Sequence, residues 1–108
     1  MGIAGHDVVP YPVFRAALDA GNLDRVRQLA SQMPSIGLHD ALRICLLMRE
    51  HDGYERAAVR WLGRFALEGP RVDIDAIQEA AAALDGLPYR PDAAMEQLAG
   101  VCGRCGVA

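Results

Sequence analysis

The chain contains no lysine and no threonine, and only two serines, Ser31 and Ser35, in 108 residues. With lysine missing, every basic side chain is an arginine, a planar cation suited to paired hydrogen bonds with carboxylate or phosphate. The scarcity of hydroxyls leaves no serine framed by nucleophile-elbow glycines, and no glycine loop precedes a helix in phosphate-binding form. Nothing assembles into an enzyme by local motif. β-Branched residues are scattered whereas Ala, Leu, Arg and Gln recur, so the summed propensity is helical. Long apolar runs are also missing: none approaches the ~18–20 residues that span a bilayer. The opening MGIAGHDVVP lacks the charged start and apolar stretch of a secretion signal. Three cysteines at irregular spacing make no disulfide framework and suit a reducing compartment, so the expected location is cytoplasmic, with no membrane partner.

Alanine dominates what is present. The hydrophobic share is 52%, but 18 of those residues are Ala, which calls for a thin core between closely approached helices. Arginine without lysine, beside abundant Ala and Gly, is the coding pattern of a GC-rich genome. A net charge of −3 excludes a domain-wide attraction to nucleic acid or anionic lipid, leaving only a local basic patch for such ligands. The length fits one domain with one core.

Residues 1–11 carry Gly, His, Asp and Pro without periodicity and read as a loosely held arm, followed by a single all-helical domain over 12–108. PVFRAALDAG starts at Pro12 and closes at Gly21. Asn22 caps LDRVRQLASQM, apolar on one side only. GLHDALRICLLMRE is apolar over most of its circumference, with a narrow sector for His39, Arg43 and Glu50. It is therefore the expected central helix, buried over 38–50. Asp52 and Glu55 match a capping box that opens a fourth helix running to Glu68, which Gly69 and Pro70 stop. Asp73 caps IDAIQEAAAALDG, with Asp75 in its first turn and Gly86 as its close. The sixth helix runs from Pro91 to Cys105, with Gly106 as terminator and Tyr89 as a hydrophobic staple. The fold class is thus all-α, six helices in three antiparallel hairpins, as a compact bundle or short solenoid around the third helix.

Gly21, Gly53 and Gly86 stand 32 and 33 residues apart, and AALDAGNLDRVRQLA recurs as AALDGLPYRPDAAMEQLA with three residues inserted. Periods of this size belong to helical-hairpin arrays. In this spacing the chain resembles the tetratricopeptide class of repeats over residues 12–105, and AALDAGNLDRVRQLA is similar to the helix pair of an ankyrin repeat. Neither the Trp, Leu-Gly and Tyr pattern of a tetratricopeptide unit nor the TPLHxA signature of an ankyrin unit is present. The resemblance implies a protein-binding scaffold and assigns no individual residue.

In YERAAVRWLGRFALEG, arginine occupies every fourth position at Arg56, Arg60 and Arg64. At about 100° per residue, Tyr54, Ala57, Ala58, Trp61, Leu62 and Phe65 share one sector, so the lone tryptophan belongs to the core. The arginines fall on the other side, where Glu50, Glu55 and Glu68 offer partial cancellation and a solvated face is the plain explanation. Val59 and Leu67 project on the arginine side. Apolar residues amid guanidinium groups point to a contact, with a neighbouring hairpin or with a partner. The expected binding residues are therefore Arg56, Arg60, Arg64, Val59 and Leu67.

The C-terminal VCGRCGVA contains a CxxC of Cys102 and Cys105, but zinc needs four ligands, and the remaining candidates, Cys45, His6, His39 and His51, have no ligand spacing. No metal site is expected; Cys102 and Cys105 fall in the apolar sector with Met95, Leu98, Ala99 and Val101. His39 and His51 read as polar-sector and helix-end residues, and Asp73 and Asp75 as helix-start acids. The function expected is a non-enzymatic protein-interaction module without cofactor, its partner another protein or a second copy. The first rival is a nucleic-acid-binding or regulatory protein with Arg49 and Arg71 added to the stripe. The second is a metal or redox protein built on the CxxC. A helix-turn-helix over residues 37–63 fails because its second helix turns Trp61 inward.

Overall fold

The computed structural model describes residues 9–107, which form six helices: α1 (Tyr11–Asp19), α2 (Leu23–Ala30), α3 (Leu38–Leu47), α4 (Tyr54–Glu68), α5 (Ile74–Gly86) and α6 (Pro91–Arg104). Among the described residues there is no strand. Residues 1–8 of the expected arm lie outside the described residues. Of its remainder, Tyr11 already begins α1 and Val9 packs against the cluster around Phe14.

Each helix packs mainly on its neighbours in the chain, and side-chain bonds fix their directions. Tyr54 at the start of α4 donates to the Leu84 carbonyl near the end of α5 at 2.6 Å, so these two run antiparallel. The Arg71 amide donates to the Cys105 carbonyl, setting the start of α5 beside the end of α6. Trp61 Nε1 donates to the Leu38 carbonyl at 2.8 Å, which brings the later half of α4 to the first turn of α3. α1 instead runs alongside α3 in the same sense, with Tyr11 bonded to Asp40 and Asp19 to Arg43.

Buried apolar residues fall into two clusters rather than one. Phe14, Ala17, Leu18, Val26 and Leu29 of the first hairpin form the smaller, on which Ile44 and Leu47 of α3 pack. Leu38, Leu42 and Cys45 of α3 join Trp61, Phe65, Leu87, Leu98 and Val101 in the larger. The third helix belongs to both, and over Leu38–Leu47 only His39 is exposed, as its apolar circumference required. It is shorter than expected: Met48 is its C-cap, and residues 48–50 form turns.

Alanine does in the larger cluster what its abundance suggested. Ala76, Ala80 and Ala83 of α5 and Ala94 of α6 are buried, and side chains this small let the two backbones approach closely. Volume comes from the stacked rings of Trp61 and Phe65, 5.3 Å between centroids and 8° between planes.

The helix ends match the expected chemistry in part. Gly21 has φ 69°, and the bonds Gly21 N–H to Leu18 and Asn22 N–H to Ala17 complete a Schellman turn. Gly106, with φ 78°, repeats it through Gly103 and Cys102. Asn22 and Asp73 cap α2 and α5 through Arg25 and Ala76 amides. Three expectations fail. The Asp52–Glu55 capping box does not form, because Gly53 is the N-cap of α4 and its amide donates to His51 Nδ1. Gly86 does not close α5 by a left-handed turn; it is the last helical residue, and the Arg90 and Tyr89 amides both donate to its carbonyl. Tyr89 is 83% exposed and staples nothing, while Leu87 at 0% fills that corner.

Trp61→Phe removes the buried indole bond and some of the packing that joins α3 to α4. It is expected to lower unfolding free energy by about 1–3 kcal/mol in urea titrations. Gly21→Ala, which forces a Cβ into left-handed backbone, is expected to cost ~1 kcal/mol by the same measurement.

Candidate functional site

The arginine stripe of α4 does not face open solvent as a flat surface. It forms one wall of a groove of about 810 Å³ whose floor is α3 and whose other wall is α2 with the segment after it. Arg56, Arg60 and Arg64 line the α4 wall, and Arg27 stands on the α2 side with Ala30 and Ser31. Ala41, Ile44, Cys45 and Met48 make the floor, while Ile36 and Ala57 extend its apolar surface. Among the described residues, Asp52 is the one acidic residue of the lining. Against a chain of net charge −3, four guanidinium groups and a single carboxylate make a local reversal of sign.

The arginines differ in what they are free to do. Arg64 is committed: Nε and Nη2 bind both oxygens of Glu68 at 2.7 and 3.0 Å, and Nη2 also donates to the Ile36 carbonyl at 2.8 Å. Its hydrogen bond to Glu68 raises the guanidinium pKa and holds the Glu68 carboxyl below the ordinary carboxylate value. Arg64 therefore pins residues 31–37 against α4 and shapes the end of the groove. Arg27, Arg56 and Arg60 are exposed and make no hydrogen bond or ion pair among the described residues. Their charges remain available to a ligand.

The floor is incompletely covered. Ala30, Ile36, Ala41, Ile44 and Ala57 are all half-buried, leaving a strip of small aliphatic surface at the base of the cationic walls. Cys45 beneath it is buried, and desolvation pushes its thiol pKa up to about 11 despite the opposing field of Arg60. Buried as a neutral thiol, it contributes apolar lining rather than a nucleophile. Tyr54, partly desolvated, is pushed up to about 12.

Not all of the expected site residues converge. Val59 and Leu67 are 64% and 87% exposed and do not line the groove, so they form a separate outer surface of α4. Arg49 donates to the Leu46 carbonyl at the end of α3, and Arg71 lies in the connection before α5, near Gly106. Cys102 and Cys105 are buried in the larger cluster, where burial first, and the neighbouring thiol second, raise the Cys102 pKa. Among the described residues no three His, Cys, Asp or Glu side chains converge on a metal position, and no helix is long and apolar enough to cross a membrane. Sequence reasoning missed Arg27 and the floor of Ala41 and Ile44. The only local trace was that α3 had more apolar circumference than two flanking helices cover.

No family model, curated protein or solved structure matches this chain.

The raised pKa values of Cys45, Tyr54 and Cys102 set an alkaline limit, and the first two define its window. Cys45 and Tyr54 stay neutral longer when folded, so their contribution is complete below about 9 and 10, their ordinary values, and is lost as pH rises toward about 11 and about 12. Unfolding midpoints in urea are expected to fall across that window, and Cys45→Ala is expected to flatten the first part of the fall. With all three thiols buried, a thiol reagent near neutral pH is expected to label the native chain slowly and the denatured chain at three sites.

Proposed function

We propose that the chain is a non-enzymatic interaction module that binds another protein through the groove between α2, α3 and α4, with Arg56 and Arg60 reading carboxylates. The observation that carries this reading is the pairing of unengaged guanidinium groups with a half-buried aliphatic floor. An apolar centre with a charged rim is the usual anatomy of a protein interface. Arginine is well suited to the task because its planar fork binds a carboxylate through two bonds at once.

Nucleic acid is the weaker reading for the same groove. Single strands are held by aromatic platforms as well as charge, and the one aromatic lining residue, Trp61, is 2% exposed. Chemistry on the CxxC has less support, since both thiols are in the core.

The full chain, immobilised and exposed to native lysate, is expected to retain at least one protein that Arg56→Glu/Arg60→Glu loses by about tenfold or more. Val59→Ser/Leu67→Ser is expected to retain it. Capture of the same proteins at equal yield by the double Glu variant overturns the reading. Retention only of DNA or RNA, released steeply by salt, replaces it with the nucleic-acid reading.

A further inference from the structure

We infer that the occupant of the groove is an amphipathic helix of a partner protein, carrying an aliphatic stripe flanked by carboxylates one helical turn apart. This deepens the protein-binding reading above and rests on it.

The shape of the groove suits a helix. α2 and α4 each pack on α3 but share no interface of comparable extent, so the two straddle the third and leave a trough between them. α2 has eight residues and α4 fifteen. At 1.5 Å per residue they are about 12 and 22 Å long, so the shorter helix leaves part of α3 without a neighbour on that side. A helix laid in the trough would meet three helices and cover the strip of Ala41, Ile44 and Ala57. Floors of small side chains suit such an occupant because they let its backbone come close, as the buried alanines of α5 and α6 do within this fold.

The charges of the groove walls suit the same occupant. Arg56 and Arg60 are one turn apart, a rise of about 6 Å, which matches carboxylates at positions i and i+4 of a helix lying beside α4. Arg27 faces from the opposite wall, so the apolar stripe of the occupant is flanked by acid on both sides. Asp52 at the other end of the α4 wall repels a carboxylate and accepts a basic or neutral residue, which gives the bound helix a polarity. Arg64, already bonded to Glu68 and Ile36, offers no further pair.

A second copy of this chain is a poorer fit. The outer face of α6 does present Asp92 and Glu96 one turn apart, both exposed, but Ala93, Ala99 and Gly100 beside them are its only apolar companions. The aliphatic stripe of that helix, Leu98 and Val101, is wholly buried in the chain's own core. With its stripe withheld, α6 of a second copy does not supply the occupant, which we assign to another protein.

The test uses three fluorescent peptides of about five helical turns with the intact chain in anisotropy titrations. The first has a Leu/Ala stripe with Glu at i and i+4 on both flanks, the second has Gln in place of Glu, and the third has the first composition scrambled so that no stripe survives. The first is expected to bind, with the other two and mixed-sequence single-stranded DNA weaker by about tenfold or more. Arg56→Glu/Arg60→Glu is expected to weaken the first by a similar factor, and Arg27→Glu, on the opposite wall, to do so independently. Amide shifts on titration are expected in α2, in α3 around Ala41 and Ile44, and along the groove side of α4. All three arginines are exposed, so circular dichroism is expected to be unchanged in both variants; should one unfold, the other still decides. Equal binding of the scrambled peptide or of DNA reduces the groove to a charge attractor and overturns the inference, as does indifference to Glu against Gln. Concentration-dependent dimerisation abolished by Asp92→Arg/Glu96→Arg would replace the occupant with a second copy. If no peptide binds while lysate capture still depends on Arg56 and Arg60, the helix fails and the module reading stands; if that capture is also independent of them, both fall.

Discussion

The fold depends on one helix being claimed from two directions. α3 supplies Leu38, Leu42 and Cys45 to the larger apolar cluster and Ile44 and Leu47 to the smaller, so neither cluster is complete without it. Its Leu38 carbonyl accepts from the indole of Trp61, Asp40 accepts from Tyr11, and Arg43 donates to Asp19. Polar contacts thus tie α1 and α4, and apolar contacts both clusters, to the same ten residues. A chain with this much alanine has little volume per helix to bury. Sharing one helix between two clusters lets a limited stock of large side chains serve both.

That arrangement also produces the groove. A helix apolar nearly all round needs neighbours on most of its flanks, and α1, α2 and α4 occupy only part of them. Where α2 ends, at Ala30, the chain leaves helical geometry and returns through residues 31–37, held to α4 by Arg64. The strip of α3 left between the walls is therefore a consequence of unequal helix lengths. The same feature that organises the fold leaves a strip of aliphatic surface partly uncovered.

Much of this was written locally in the sequence. The encircling apolar pattern identified α3, the single apolar sector of α4 placed Trp61 and Phe65 inside, and Gly21 and Gly106 announced left-handed turns that only glycine adopts without cost. Where local rules failed, a competing contact won. Asp52 lost the cap of α4 to Gly53, whose amide binds the His51 imidazole, and Tyr89 lost its corner to Leu87, a better apolar fit. The groove was legible only on one side. Helical spacing gathered Arg56, Arg60 and Arg64, but nothing in it could show that Arg27 would face them or that Val59 and Leu67 would turn away.

The difference between Arg64 and its two companions shows how one repeat can do two jobs. Spacing of four makes the three arginines equivalent on α4, yet Glu68 lies one turn beyond Arg64 alone, and the Ile36 carbonyl comes within reach of its guanidinium alone. That arginine is spent on fixing the wall. A neighbour one turn back has no carboxylate at the corresponding position, because Arg60 is followed by Arg64 and Arg56 by Arg60. Like charges at that spacing repel, at a cost of a few tenths of a kcal/mol per pair. Engagement of Arg64 relieves part of it, and a ligand carboxylate relieves the rest. Binding of anions at Arg56 and Arg60 therefore draws on a small destabilisation already present in the free helix, whereas neutral ligands gain nothing from it. The row of arginines is a fixed wall at one end and, among the described residues, a pair of unengaged cations along the remainder.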